Sequence, residues 1–385
     1  MNQIITSILD TDSYKISMMQ AVFHQYPKVN VKYVFKCRNK DIKLGGSMIP
    51  DIKEQVEAMA NVSLTKQEKE FLSDLPFIKS DYLDYLEKYR FDPSQVRFTN
   101  INGEMGIEIV GLWVDTILWE VPLLAIINQI YFKKTSEFNS IKGMGEQILR
   151  DKINIIRQYP TFNFIDFGTR RRYSKDWQKQ VVETLHKNCP QLIGTSNVKL
   201  AMDLDIKAVG SVAHEWTSAH IALTDNIREA QKRALYVWVQ EYGKELGIAL
   251  TDTFTTRAFY QDFNYNLANI YSGVRQDSGD PIAFGRGMIQ HYKDLGIDPK
   301  TKHIIFSDGL DIPDAIKIYK EFVGLIGISF GIGTSLTNSL GVTPLNIVIK
   351  LVECNGMPVV KLSDNEGKAI GDVKVIERIK KAYNI

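Results

Sequence analysis

The sequence predicts an α/β fold, an irregular α/β barrel preceded by a smaller α+β domain. Three observations carry that prediction. From residue 162 onward, apolar runs of about five residues alternate seven times with helix-length segments, the pattern of a mostly parallel sheet covered by helices. Each run ends in Gly, Ser, Thr, Asp or His, and parallel barrels collect their sites at strand C-terminal ends. No run opens into Gly-x-Gly-x-x-Gly and a helix, which disfavours an open dinucleotide-binding sheet.

In chain order, Asp12 or Ser13 can cap a first helix carrying Ile16, Met19 and Phe23 on one face, with Pro27 beyond its end. Its start presents Tyr14 and Lys15 as an exposed pair able to meet an anion or an aromatic ligand, or to be an ordinary surface helix start. Residues 29–36 alternate as a strand, and 52–60, 66–75 and 81–89 read as helices. Residues 96–114 read as two strands around the turn Asn102-Gly103. Two longer helices, 118–131 and 140–159, lead into the regular half.

There the strand ends fall at Gly168, Gly194, Gly210, Asp252, Asp277, Asp308 and Gly331. The covering helices fall at 175–187, 198–204, 227–246, 258–270, 282–295 and 312–323. The expected division is an α+β domain over 1–130, joined by part of 345–385, and a barrel over 131–344.

Bulk properties exclude more than they select. Forty-seven Lys and Arg against 45 Asp and Glu give +2, no field for a run of phosphates, so a nucleic-acid partner is not expected. Cys37, Cys189 and Cys354 are far apart and form no CxxC pair, which suits a reducing cytoplasm. The greasiest stretch, 109–132, is broken by Asp115, Glu120 and Pro122 and reads as core rather than membrane.

The strand-end clusters carry the candidate chemistry. Phe167 to Arg172 sets an aromatic and a glycine beside three guanidiniums, which bind carboxylate or phosphate bidentately at any pH. Arg275, Asp277 and Asp280 lie on one tight turn, where carboxylates suit hydrated Mg²⁺, a ribose diol, or equally a helix cap before Pro281. Asp308 and Asp311 share that ambiguity. Gly331, Gly333, Thr334 and Ser335 form a turn whose N–H groups could cradle a phosphate. His214 follows the small-residue run AVGSVA, where an open end is implied. The other five histidines have no such company and read as structural.

These segments resemble a known family. DTDSYK, DFGTRRR, GTSN, GSVAHEW, GIALTDT, RQDSGDP, FSDGLDIP, SFGIGT and NIVIKLVECNG are similar, in order and end to end, to nicotinate phosphoribosyltransferases of the bacterial and fungal type. The resemblance implies the type II phosphoribosyltransferase barrel and a reaction of nicotinate with 5-phosphoribosyl 1-pyrophosphate, coupled to ATP hydrolysis and serving NAD salvage. It implies that Phe167 stacks on the pyridine ring and that Tyr14 covers the other face from the partner subunit of a homodimer. It implies catalytic roles for Arg170, Asp277 and His214, the last phosphorylated from ATP. Thr169, Ser196, Asn197, Arg275, Asp308, Gly331, Gly333 and Thr334 are the implied substrate contacts, with Mg²⁺ near Asp277 or Asp308. Ser196, standing where nicotinamide-using relatives carry an acid, would avoid repelling the substrate carboxylate.

Nicotinamide or quinolinate phosphoribosyltransferase, and a catalytically silent barrel binding pyridine nucleotides, are the alternatives. A phosphosugar aldolase would want a strand-end lysine, which none of the seven clusters offers. There is no GxxxxGK[ST] loop from which to read an ATP site.

Overall fold

Alternation in two different settings separates two sheets. The computed structural model describes residues 2–101, 103–365 and 369–385. Its strands are β1 Asn30–Cys37, β2 Val96–Ile101, β3 Glu104–Leu112, β4 Phe164–Asp166, β5 Leu192–Thr195, β6 Lys207–Ala208, β7 Ile248–Leu250, β8 Gly273–Gln276, β9 His303–Phe306, β10 Gly327–Ile332, β11 Ile347–Cys354 and β12 Met357–Pro358.

The first sheet is antiparallel, in the order β12-β11-β1-β3-β2. β1 alternates buried Val31, Tyr33 and Phe35 with more exposed neighbours, as a strand with one covered face must. Ile101 pairs with Glu104 across the hairpin; Asn102 of the expected turn lies outside the described residues. β11 returns from the far end of the chain to pair with β1 over Val31 to Cys37.

The second sheet is parallel, in the order β6-β5-β4-β10-β9-β8-β7. Its central strands are buried on both faces, and it curls into an irregular barrel. Among the described residues no ladder joins β6 to β7, so the curl is open along one seam. The chain crosses that seam between β6 and β7 through the short helix His214–Ala219 and the helix Ala230–Tyr242.

A strand and a helix are built differently from expectation. The strand expected to end at Gly210 stops at Ala208. The backbone leaves β5 there to pass the first helix, so closely that a Cβ on Gly210 would sit 2.7 Å from the Tyr14 nitrogen. The helix expected over 258–270 is two, Thr256–Asp262 and Tyr265–Ile270, because Asn264 leaves the helical conformation and caps the second by accepting from Leu267 N–H. Residues 345–385 divide: β11 and β12 join the first sheet, while the last helix, Val373–Tyr383, buries Val375, Ile379 and Tyr383 in a small cluster with Phe254 and Ala258.

Behind the seam, Trp113, Trp216 and Trp238 pack in sequence, with ring centroids 5.9 and 5.4 Å apart. Each such ring hides roughly 150–250 Å² of surface, which fixes the apolar side of the helix that starts at His214. His220 is structural, accepting from Tyr26 Oη–H and donating to the Trp216 carbonyl. The stretch 109–132 is core, and among the described residues no helix is long and apolar enough to cross a membrane.

Candidate active site

The strand ends of the curled sheet and the edge of the antiparallel sheet enclose one cleft of about 780 Å³. Its floor is built where the first helix meets the β5 turn. Ser13 N–H donates to the Ser196 carbonyl at 2.7 Å, and the Ser196 hydroxyl donates to Asp12 at 2.7 Å. Asp12 therefore does not cap its helix with its side chain; its carboxyl faces Ser196, and burial raises its pKa.

Beside it, Asp166 accepts from Gly168 N–H, Thr195 and Gln178, which pins the turn that carries Phe167. Burial outweighs these donors and pushes Asp166 up to about 6. Phe167 lies over Gly331, where any Cβ would overlap the ring carbons, so that glycine is required by the aromatic.

His214 stands at the seam. Its Nε2 lies 2.9 Å from Asp252 Oδ1 and 3.5 Å from Asp277 Oδ2. Asp252 also accepts from Ser278 at 2.7 Å and pairs with Lys361 at 3.1 Å. Burial, reinforced by the Lys361 ammonium, pulls His214 down to about 4, against the pull of the carboxylates. The imidazole is thus neutral at pH 7, with its proton on Nε2 facing Asp252 and the lone pair on Nδ1. Burial works against the Asp252 charge, but His214 and Lys361 hold it well below the ordinary carboxylate range. Asp277 accepts from Ser307 at 3.0 Å and is held low by Arg275, His214 and Lys361 in spite of its burial.

The opposite wall is cationic. Arg38, at the end of β1, faces Arg170 and Arg171, and β11 adds Lys350. Burial lowers Lys350 to about 8 and Arg171 to about 9, with Arg170 adding repulsion to both. Arg171 is tied to β11 through the Ile347 carbonyl and Asn346.

Both halves of this architecture have named relatives. The model of the nicotinate phosphoribosyltransferase (NAPRTase) family matches residues 162–385, and that of its N-terminal domain matches residues 9–128. The chain belongs to the nicotinate phosphoribosyltransferase family. The Photorhabdus laumondii nicotinate phosphoribosyltransferase is 46% identical over 99% of this chain and 96% of its own length, and that of Yersinia enterocolitica is 44% identical over the same shares. Crystal structures of nicotinate phosphoribosyltransferases from Porphyromonas gingivalis and Vibrio cholerae both superpose with a TM-score of 0.94, at 36% and 38% identity. They cover 99% and 100% of this chain, and this chain covers 100% and 94% of theirs.

Within this family fold most of the expected residues converge. Tyr14, Phe167, Arg170, Ser196, His214, Arg275, Asp277, Asp308, Gly331, Gly333 and Thr334 all line the cleft. Two do not. Thr169 is fully buried and accepts from Gln178, and Asn197 is fully buried, caps the helix Val198–Leu204 and donates to Asp10. They build the wall without facing the ligand space.

Tyr14 lines the cleft of its own chain, held there by the Ser13–Ser196 contact. Its neighbour Lys15 is not exposed at all but lies between Glu120 and Glu215. Nor is Ser196 a free hydroxyl, since Asp12 takes it and sets an acid at the same corner.

The even alternatives at the acidic turns divide residue by residue. Asp277 and Asp308 line the cleft, while Asp280 and Asp311 cap the helices Pro281–Asp294 and Ile312–Phe322. Of the three arginines, Arg172 is neither ligand nor surface charge, since it is buried and makes a two-pronged pair with Asp10 at 2.6 and 2.8 Å.

Sequence reasoning missed Asp12, Arg38, Glu120, Asp252 as a contact, Lys350 and Lys361. Three had a signal, Asp12 in DTDSYK, Asp252 at the end of GIALTDT and Lys350 in NIVIKLVECNG.

Proposed function

We infer that this chain is a nicotinate phosphoribosyltransferase, joining nicotinate to 5-phosphoribosyl 1-pyrophosphate to give nicotinate mononucleotide and pyrophosphate in NAD salvage. One observation beyond family membership carries the reading: a single cleft sets two aromatics, Tyr14 and Phe167, between a cationic and an acidic wall. A flat pyridine suits the aromatics, the phosphates suit Arg38, Arg170, Arg171 and Lys350, and the ribose hydroxyls suit Asp277 and Asp308. Arg275, anchored through Nη1 to Ser211 at 3.0 Å, offers a guanidinium to the substrate carboxylate. In the reaction the pyridine nitrogen bonds to the anomeric carbon as the bond to pyrophosphate breaks. The protein's share is to align the two and stabilise the departing charge.

ATP coupling belongs to the same proposal. The lone pair on His214 Nδ1 attacks the γ-phosphorus, the bond to the β-phosphate oxygen breaks and ADP leaves. Nε2–H stays on Asp252, which offsets the positive charge gained by the ring. Water later cleaves the P–N bond and releases phosphate.

Mg²⁺ fits one place and not another. The group His214, Asp252 and Asp277 has its ligand atoms within 4.8 Å of one another, but Lys361 already pairs with Asp252 there, and a dication would have to displace it. Asp277 and Asp308, with Ser307 between them, offer the oxygen donors that a hydrated Mg²⁺ takes. Bound on the pyrophosphate, the ion would neutralise leaving-group charge.

The homodimer with a shared active site is part of the same proposal, and sedimentation tests the assembly. A cytoplasmic location accords with the three free cysteines.

The deciding experiment is mass spectrometry of products with nicotinate, nicotinamide or quinolinate, each with phosphoribosyl pyrophosphate and Mg²⁺, with and without ATP. The expected outcome is nicotinate mononucleotide from nicotinate alone, faster with ATP. His214→Ala is expected to lose the ATP stimulation, and full stimulation in that variant would overturn the phosphohistidine step.

A further inference from the structure

A run of buried charge joins the two ends of the cleft. Lys15 Nζ lies 2.7 Å from Glu120 Oε2 and 2.8 Å from Glu215 Oε2, with no exposure of its own. Each carboxylate is shared. Glu120 Oε1 lies 3.8 Å from Arg170, and Glu215 Oε1 accepts from Tyr33 Oη–H at 3.5 Å. The order Arg170, Glu120, Lys15, Glu215 thus runs from the aromatic end of the cleft to the seam.

The sequence neighbours of the two central members are the cleft residues themselves. Tyr14 precedes Lys15 on the first helix, and His214 precedes Glu215 on the helix His214–Ala219. Consecutive helical residues point about 100° apart, so a lysine driven inward turns its neighbour toward the ligand space. Neither Glu120 nor Glu215 has a second buried lysine as close as Lys15 among the described residues.

We propose that Lys15 is a positioning residue through which a change at His214 is felt at the pyridine site, by way of Glu215 on one side and Tyr14 on the other. The inference rests on the phosphohistidine reading above. A phosphoryl group on His214 brings up to two negative charges beside Glu215. The Glu215 carboxylate, repelled, shifts its share of Lys15, and the first turn carrying Asp12, Ser13 and Tyr14 follows. A contiguous run of ion pairs is a physical path by which a change at one site can reach the other. Lys15 touches no substrate in this scheme. It sets how firmly the aromatic lid of its own helix is held.

The test compares wild type with Lys15→Met/Glu215→Gln, which removes one positive and one negative charge together, and with Glu215→Gln alone, which keeps the side-chain shape and an amide oxygen for Lys15. Two quantities are read: phosphate carried on His214 after incubation with ATP, by mass spectrometry of the peptide, and the KM for nicotinate with and without ATP.

Linked sites usually shift one another's affinity roughly 5–150-fold, and the wild-type ratio of the two KM values is expected in that range. The expected result is variants that take up phosphate as wild type does while their KM ratio falls to within about 2-fold of unity, with kcat changing less than KM; Lys15→Arg, which keeps both pairs, restores the ratio. A variant that is phosphorylated and keeps the wild-type ratio overturns the role of Lys15. A wild-type protein that takes no phosphate on His214 overturns the reading beneath it instead. If the double variant does not fold, Glu215→Gln alone decides on the same two readouts.

Discussion

The two walls of the cleft solve one problem in opposite ways. The wall at the ends of β7 to β9 collects carboxylates, Asp252, Asp277 and Asp308, and admits one lysine, Lys361. The wall formed by β1, β11 and the turn after β4 collects cations, Arg38, Arg170, Arg171 and Lys350, and admits one glutamate, Glu120. In each case opposite charge set among them, Arg275 and Lys361 on the one side and Glu120 on the other, lets a group of like charges stay half out of water. The difference lies in how rigidly each is held. Asp252 has three partners within 3.1 Å, whereas Lys350 and Arg38 have burial and repulsion pulling down their charge. The acidic wall is preorganised, and the cationic wall is waiting for an anion.

The largest test of that contrast is Asp252→Asn. It removes the charge shared by His214 and Lys361, and uptake of phosphate from ATP is expected to fall by at least ~10²-fold, as when the acid that orients a catalytic histidine is made an amide. A rate within a factor of three of wild type would show that the acidic wall is not preorganised around that carboxylate.

Arg170 and Arg172, two residues apart, give the next test. Arg172→Met breaks a buried two-pronged pair and is expected to cost about 3–5 kcal/mol of stability in denaturant unfolding. Arg170→Met should leave the unfolding midpoint nearly unchanged and instead raise the KM values of the substrates.

Gly331→Ala acts where the walls meet. The added methyl displaces Phe167, and the KM for nicotinate is expected to rise by about 10-fold, the loss of one stacked ring contact. An unchanged KM would detach Phe167 from the pyridine.

The smallest effect is a pH dependence of the cationic wall. Lys350 sits at about 8 against an ordinary 10.5. Between those values the unfolded chain binds the proton that the folded chain has lost, so this residue's contribution makes stability rise with pH across that window. The cleft meanwhile loses a positive charge, and the KM for phosphoribosyl pyrophosphate should climb modestly above pH 8. Lys350→Arg, charged throughout, should flatten the climb.

Legibility followed the same division. The acidic wall and the aromatic turn could be read because each residue ends a short apolar strand inside a local motif, as in RQDSGDP or DFGTRRR. Seven strand positions were recoverable for that reason, even where β6 proved only two residues long. Of the cationic wall, Arg170 and Arg171 share that mark in DFGTRRR, but the other two residues do not end a short apolar strand. Lys350 lies within the regular strand β11 and Arg38 just past β1, and both read as the polar beats of ordinary alternation. Lys361 lies in an irregular stretch with no motif around it, and Lys15 looked exposed because nothing local announces Glu120 or Glu215. Contacts between residues 200 apart are made by the fold and leave no spacing to find.

The open seam between β6 and β7 carries one more consequence. A sheet that does not close keeps two margins of unmatched amide and carbonyl groups, which other chains can copy as a template. Here those margins are only two and three residues long, and the segment crossing between them bears His214. Substitutions that loosen this crossing to change catalysis would uncover the margins as well, so light scattering on standing should rise in step with lost activity. Solubility and the chemistry proposed for His214 are then two burdens on the same short length of chain.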